Sequence, residues 1–524
     1  VWTETVEPGI KFKWDYDTLP HILIRQSDGT FMVKRADGLT PGSNVPTGAD
    51  YSAFKFADRT VGSELTNPLP SFADKNITDI AFFRNRLAVL SGENVILSEL
   101  GEFFNFFRIT VTQLLDSTVI DVGAGGTDVN VLRRATAFSD RLILFSDRTQ
   151  FALRGDTVLS PRTASLSQVT NFDVSTKAAP VYAGNTLFFP FSRGKFSGIR
   201  EFYKTNETDI QFDANEVTAA VPKYIEGEVD KITNSTHEDL MAVLARTRAA
   251  NGDRNPTNTI YMYKYFNTSR GRVQSAWFKV TLSNCEIIDI HFIEQALYII
   301  TKRGSKNFIE RMDLQNGLVD EGATYVTTID RRVKVEAQDN VDTTNNRIRL
   351  NNSYDINSGD TMQVVSEDGE VMTIASTDTS TAGAHTITLN EDISVGDKFY
   401  VGIPYTMKYE FTKPILKRQG QTGSFESVSS GRHQLRYMTV VFDDTAAFTI
   451  RVTPIVGGDM ATSVDYTFTG RFLSAGGFLG AVPSESGSFR CPVFAQSDSV
   501  KIEILNDGPL PSNIQSVEFE ANYE

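Results

Sequence analysis

An all-β fold, with a β-propeller-like region followed by small β-barrel or sandwich domains, is what this sequence predicts, and three observations predict it. Short runs of β-branched and aromatic residues alternate with Gly, Asn, Asp and Ser turns from Asp17 to about Asp313. Helical periodicity is scarce: its best candidate, Gly101 to Leu115, carries Thr, Val and Phe where a helix favours Ala, Leu and Lys. One phrase also recurs through this stretch at a spacing of 45 to 57 positions. Four short strands and their turns occupy about that length in a propeller blade.

The first element is a hairpin, His21-Ile22-Leu23-Ile24-Arg25 and Thr30-Phe31-Met32-Val33-Lys34 about a Ser27-Asp28-Gly29 turn, placed to supply or close a blade. The recurring phrase follows: a polar residue, one further residue, Leu, an apolar strand, a turn and a second strand. It reads Asn85-Arg86-Leu87-Ala88-Val89-Leu90 with Val95-Ile96-Leu97-Ser98, then Asp140-Arg141-Leu142-Ile143-Leu144-Phe145 with Gln150-Phe151-Ala152-Leu153. The third copy is Asn185-Thr186-Leu187-Phe188-Phe189 with Gly198-Ile199-Arg200-Glu201-Phe202. Looser copies begin at Glu238-Asp239-Leu240 and Gln295-Ala296-Leu297. Each copy predicts one blade; the bland alternative is a set of unrelated hairpins in a sandwich.

Beyond Asp313 the texture turns to Thr, Asp, Asn and Ser. Alternation at Arg332 to Glu336, Arg347 to Leu350, Met362 to Val365, Val371 to Ile374, His385 to Leu389 and Lys398 to Val401 predicts a small antiparallel β-domain over 320–407. Further strands at Tyr437 to Val441, Phe448 to Val452, Asp465 to Phe468 and Val500 to Ile504 predict a C-terminal β-sandwich over 408–524. The propeller-like domain is placed at 17–319.

A length of 524 residues suits two to four domains. No apolar run approaches the roughly 18 residues of a membrane helix, so no membrane-spanning segment is expected. The opening Val1-Trp2-Thr3-Glu4 resembles neither a translation start nor a signal peptide, and residues are expected upstream. Cys285 and Cys491 stand 206 positions apart with no zinc-ligand spacing. Two unpaired core thiols are the favoured reading over one long-range disulfide. With 51 Lys and Arg against 65 Asp and Glu, the net charge of −14 argues against tight electrostatic binding of nucleic acid. It does not exclude a wall past which DNA slides.

The stretch Phe82-Phe83-Arg84-Asn85-Arg86-Leu87, with Gly92 to Ser98 and with Glu102-Phe103-Phe104-Asn105-Phe106-Phe107-Arg108, resembles the signature of the tail tubular protein B family, the nozzle proteins of short-tailed bacteriophages. Thr66 to Phe72, Leu144 to Phe151, Val221 to Ile225, Gln274 to Trp277 and Asn506 to Pro511 with Ile514 to Ser516 extend the resemblance over nearly the whole chain. The family's N-terminal portion is absent, so residues 1–16 are expected to be the remnant of an upstream platform region. The resemblance implies a structural virion protein assembled in the host cytoplasm. It implies a homohexameric ring under a tail adaptor of the tail tubular protein A type. It also implies contact with tail fibres, and a central channel that retains double-stranded DNA and opens for ejection without sequence-specific binding. In that reading Phe82, Phe83, Arg84, Asn85, Arg86, Leu87, Phe103, Phe104, Phe106 and Phe107 are structural.

No catalytic residue, cofactor site or metal site is predicted. His21, His237, His291, His385 and His433 are too scattered for a metal centre, and Gly123-Ala124-Gly125-Gly126 lacks the Lys-Ser/Thr of a phosphate loop. Adjacent carboxylates such as Asp443-Asp444 and Glu238-Asp239 arise by chance among 65 acids, and neighbours on a strand point to opposite faces. Asp339 to Asn346 and Ser366 to Glu370 read as solvated turns rather than calcium loops. Tyr261 to Arg272 mixes cations with aromatics; a blade edge explains it as well as nucleic acid does. The rival functions are a capsule- or glycan-degrading tail enzyme and a monomeric propeller binding module.

Overall fold

The computed structural model describes residues 3–39, 50–125, 129–155, 158–205, 211–268, 271–314, 326–335, 340–350, 354, 356–357, 359–367, 369–381, 384–419, 425–428, 432–456, 459–470 and 484–523. Among the described residues there is no α-helix, and the chain is all-β.

Four meanders succeed one another, each with its strands hydrogen-bonded in chain order. The first is Ile77–Phe83, Arg86–Ser91, Asn94–Leu97 and Ile120–Gly123. The second is Arg134–Phe138, Arg141–Phe145, Gln150–Arg154 and Ser165–Thr170. The third is Val181–Ala183, Thr186–Arg193, Phe196–Lys204 and Phe212–Glu216, and the fourth Glu228–Ser235, Leu240–Arg246, Thr259–Thr268 and Gly271–Thr281. The recurring phrase is the second and third strand of each. Its polar residue stands in the turn that precedes the second strand. Arg84 and Asn85, at φ 46° and 57°, both occupy the left-handed region, as the two-residue turn between paired Phe83 and Arg86 requires. A fifth copy forms the strand Ala296–Arg303, preceded by Glu286–Ile293 and followed by Lys306–Asp313.

Alternation of side chains explains the stacking. In the second meander Leu142, Leu144, Phe151 and Leu153 enter a core shared with Ala88, Leu90, Val95 and Leu97 of the first. The intervening Ile143, Phe145 and Ala152 enter a core shared with Leu187, Phe189 and Phe202 of the third. Phe188 and Ile199 of the third in turn meet Met241, Val243 and Tyr263 of the fourth. A strand buried on both faces reads as an unbroken apolar run, which is why the phrase stands out in the sequence. The first strands of successive meanders lie against one another. Thr78 Oγ1 donates to Leu132 O at 2.6 Å, Ala135 N to Asp79 at 2.9 Å, Arg134 Nε to Thr176 O at 2.9 Å and Phe292 N to Thr233 Oγ1 at 3.1 Å. Sheets fanned about their adjoining first strands are the arrangement of a propeller.

Two sequence expectations are corrected. Gly101 to Leu115 is turns and bends, because Phe103, Phe104, Phe106 and Phe107 all reach one core, and a tight turn from Glu102 to Asn105 aims them there better than helical spacing does. The hairpin Ile22–Arg25 with Phe31–Lys34 is a sheet of its own and joins no blade. The face of the first meander that a further blade would cover is packed instead by Trp14, Leu19, Phe56, Phe72, Phe106 and Phe107 against Leu87, Val89 and Ile96.

By its contacts the chain forms two compact units, Val1–Thr281 with Ile287–Ile300, and Leu282–Glu286 with Thr301–Glu524. In the second unit, two four-stranded sheets enclose Ile348, Val364, Ile387, Phe399 and Val401. A second pair of sheets, one centred on Ala447–Val456 and Val500–Asn506, the other on His433–Thr445 between Glu485–Gln496 and Ile514–Tyr523, encloses Met438, Val440, Ile450, Cys491 and Ile502 as a sandwich. The loop Asn506 to Pro511 is held by its first residue. Asn506 Nδ2 donates to Leu510 O at 2.8 Å and Ser512 Oγ at 3.0 Å, and Oδ1 accepts Gly508 N–H at 3.0 Å. Replacing Asn506 by Ala is expected to lower stability by about 1–3 kcal/mol in denaturant titration, since no other side chain supplies all three partners.

Candidate functional site

The residues of the family signature divide by environment. Phe83 is buried in the core shared with the second meander, Leu87, Phe106 and Phe107 are buried in the aromatic core with Phe103 and Phe104 packed at its margin, and Phe82 is 66% exposed, its ring centroid 5.4 Å from that of Phe103 in a T-shaped contact. Arg84 donates to Asp140 O at 3.2 Å across to the second meander. Arg86 is fully buried. Its guanidinium donates to the carbonyls of Ser98 (2.7 Å), Ser117 (3.1 Å), Thr118 (2.8 Å), Asp116 (2.8 Å) and Leu159 (3.3 Å). Burial pulls its pKa below the usual arginine range, with Glu99 opposing. This cation neutralises no phosphate. It closes the loop between the third and fourth strands of the first meander and ties it to the second.

Other resembling phrases also hold backbone. Asn67 accepts Arg108 N–H at 2.9 Å and donates to Val61 O and Arg108 O. Gln150 accepts Phe172 N–H at 3.0 Å and donates to Phe172 O at 2.9 Å. Trp277 donates to Val217 O at 3.0 Å and lies tilted against Tyr263 with ring centroids 4.7 Å apart. In the aromatic and basic run, Tyr261, Tyr263 and Tyr265 are core residues, Lys264 bonds Glu238 O, and Arg272 reaches Glu201 at 2.6 Å. Ser269 and Arg270 lie outside the described residues.

A polar collar forms where the first strands of the second to fourth meanders begin. A recess of about 430 Å³ there is lined by Arg133, Asp147, Thr176, Lys177, Ser192 and Glu228. Arg133 pairs with Asp147 at 3.9 Å, Lys177 with Glu228 at 3.5 Å, Arg248 with Glu228 at 2.7 Å and Arg246 with Asp230 at 2.5 Å, while Arg254 bonds both carboxylates. Burial pushes the Asp230 carboxyl above its usual range and the Arg246 guanidinium pulls it back. Each of these five cations lies within 4 Å of a carboxylate, but four of them share Glu228 and Asp230, so a phosphate entering the recess competes with carboxylates already in place. The collar is a surface of cations bridged by shared carboxylates, and among the groups named here none is a nucleophile held beside a base. The sequence did not show it, because Lys177, Glu228, Arg246 and Arg254 stand far apart in the chain and meet only at the ends of strands and in the loops beside them.

The histidines remain apart. His385 is buried with Nδ1 accepting Ile356 N–H at 2.9 Å, His433 and His21 contact backbone carbonyls, and His237 and His291 are exposed. Asp444 sits in a left-handed conformation beside Asp443, which holds Ser486; Glu238 and Asp239 form the turn before Leu240. Asp342 accepts the Thr344 and Asn345 N–H groups, as a turn does. Val1, Trp2, Gly126, Glu336, Asp339 and Asp368 lie outside the described residues. Among the described residues no three His, Cys, Asp or Glu gather to hold a metal. Cys285 and Cys491 are free thiols, each pushed up to about 11 by burial and so protonated at neutral pH.

The family model for the bacteriophage nozzle protein matches residues 1–524. Tail tubular protein gp12 of Escherichia phage T7 is 28% identical over 533 residues, covering 100% of this chain and 63% of that protein. The chain thus spans less than two thirds of this curated relative. Among solved structures, the Neurospora crassa Pan2 WD40 domain is 8% identical with a TM-score of 0.24, over 47% of this chain and 82% of that one. Yeast RCC1 (Prp20), in complex with Kap60, is 10% identical with a TM-score of 0.29, over 54% and 67%. The fold rests on the meanders themselves and not on these two similarities.

Proposed function

The chain belongs to the bacteriophage nozzle protein family, and from that premise we propose that it is a structural wall segment of a phage tail, acting as a hexameric ring whose channel passes DNA. The observation that carries the proposal is the state of the charged groups. Buried Arg86 of the first unit is spent on backbone carbonyls, and the collar cations share carboxylates of the same unit. With a net charge of −14, the chain as a whole repels a polyanion more than it holds one. A conduit needs that, because a wall that bound phosphates would stall its cargo.

In this proposal the ring sits under a tail adaptor, meets the tail fibres near that junction and retains DNA until ejection. Residues 17–319 act as the rigid propeller-like collar, 1–16 belong with an upstream platform, and 320–407 and 408–524 line or close the exit. Opening is a rearrangement of loops, since close-packed cores resist continuous deformation. Light scattering and negative-stain microscopy, with and without the adaptor, test it. Six-fold rings with an axial channel are expected; a monomer under both conditions overturns the ring.

A further inference from the structure

The hairpin Ile22–Arg25 with Phe31–Lys34 has an outer face that stays exposed among the described residues. Leu23 lies opposite Val33 and Arg25 opposite Phe31, so these four side chains share one face. Leu23 is 65% exposed, Phe31 64% and Val33 69%. The other face is seated: Ile22 packs at the edge of the aromatic core, and Lys34 is buried over the Tyr51 ring at 4.7 Å and against Asp37 at 3.6 Å. Among the described residues the two strands pair only with each other, and neither outer backbone edge joins a further ladder. A lone two-stranded ribbon is marginal in water, and an exposed apolar edge is a template for further pairing.

We propose that this hairpin is a contact between copies of the chain, taking an apolar, acid-bearing surface of a second copy against Leu23, Phe31 and Val33. The inference rests on the ring reading above. Charge favours a second copy: Arg25 is the cation of the face and no Asp or Glu stands on it, while the chain as a whole carries −14. Size favours a repeated contact over an isolated dimer. Three such side chains expose roughly 300–400 Å², the scale of a contact patch, whereas a stable pair needs about 800 Å² per partner. In a ring the contact is heterologous and recurs at every junction, so a patch of this size is supported by its neighbours.

The test is self-association of the full chain against concentration, for the natural sequence and for Phe31→Asp with Val33→Asp, alongside amide exchange over residues 22–34. The natural chain is expected to assemble with exchange in this segment slowed at least about tenfold relative to dilute monomer. The variant is expected to associate roughly 100-fold more weakly or worse while melting as the natural monomer does. Equal assembly of both chains, with unchanged exchange in the hairpin, overturns the hairpin contact and leaves the ring standing. A natural chain that is monomeric at every concentration removes both. Should the variant misfold, the exchange of the natural chain decides alone: protection on assembly supports the contact, and none overturns it.

Discussion

Arg86→Met is expected to destabilise the first unit by about 3–5 kcal/mol, read as a lower denaturant midpoint at unchanged slope. Replacing a buried charge by an apolar side chain is often harmless when its partners are removed with it. Here the partners are five backbone carbonyls, which no side-chain substitution removes. Each carbonyl left dry costs about 1–3 kcal/mol, and water entering the space offsets part of the sum. Arg86→Lys separates charge from geometry. An ammonium has three donors at one point, while the bonds here fan from two guanidinium nitrogens to separate turns. If Lys restores full stability, charge and not the fork holds the loop, and the account of Arg86 given above fails.

Gly227→Ala is expected to cost roughly 3–5 kcal/mol, from two independent causes. The residue joins the short strand Ile225–Glu226, paired with the third meander, to the first strand of the fourth, at φ +88°. An added Cβ meets the carbonyl oxygen of Arg246 at 2.3 Å and the nitrogen of Thr247 at 2.6 Å, and both are backbone atoms that cannot rotate away. The strand must therefore separate from its partner at Glu228 and Arg246, which loosens the collar pairs as well. Thermal unfolding of the variant checks this; a loss below about 1 kcal/mol would mean that the crossing relaxes freely.

Legibility in the sequence followed burial. The second and third strands of each meander lie between two cores, so apolar runs such as Leu142 to Phe145 and Leu187 to Phe189 announce them and their turns. Outer and first strands were harder: Val181–Ala183 is three residues, and Ser165–Thr170 is half-buried with mixed polarity. Arg86 is expected to be structural only through the family resemblance, and what it holds is not legible, because its acceptors lie up to 73 positions away in loops. The Phe-rich stretch after Gly101 gives a weak helical pattern for the same reason, its packing being set by distant Trp14, Phe56 and Phe72. The initial hairpin has ordinary strand periodicity, and nothing in twelve or so residues tells whether a neighbour exists.

The stacking order also bears on how the chain is made. The second and third sheets each bury one face against the sheet before and the other against the sheet after. The segment preceding the first meander already caps its leading face with Trp14, Phe56 and Phe72. On a ribosome moving at about 5–20 residues per second, the next blade therefore follows each exposed face within roughly 2–11 s. Phe145, Phe189 and Tyr263 need only their immediate successor or predecessor, and no partner from the far end of the chain. The propeller-like region is thus suited to growth from its N-terminal side one blade at a time, with a single sticky surface open at any moment during synthesis.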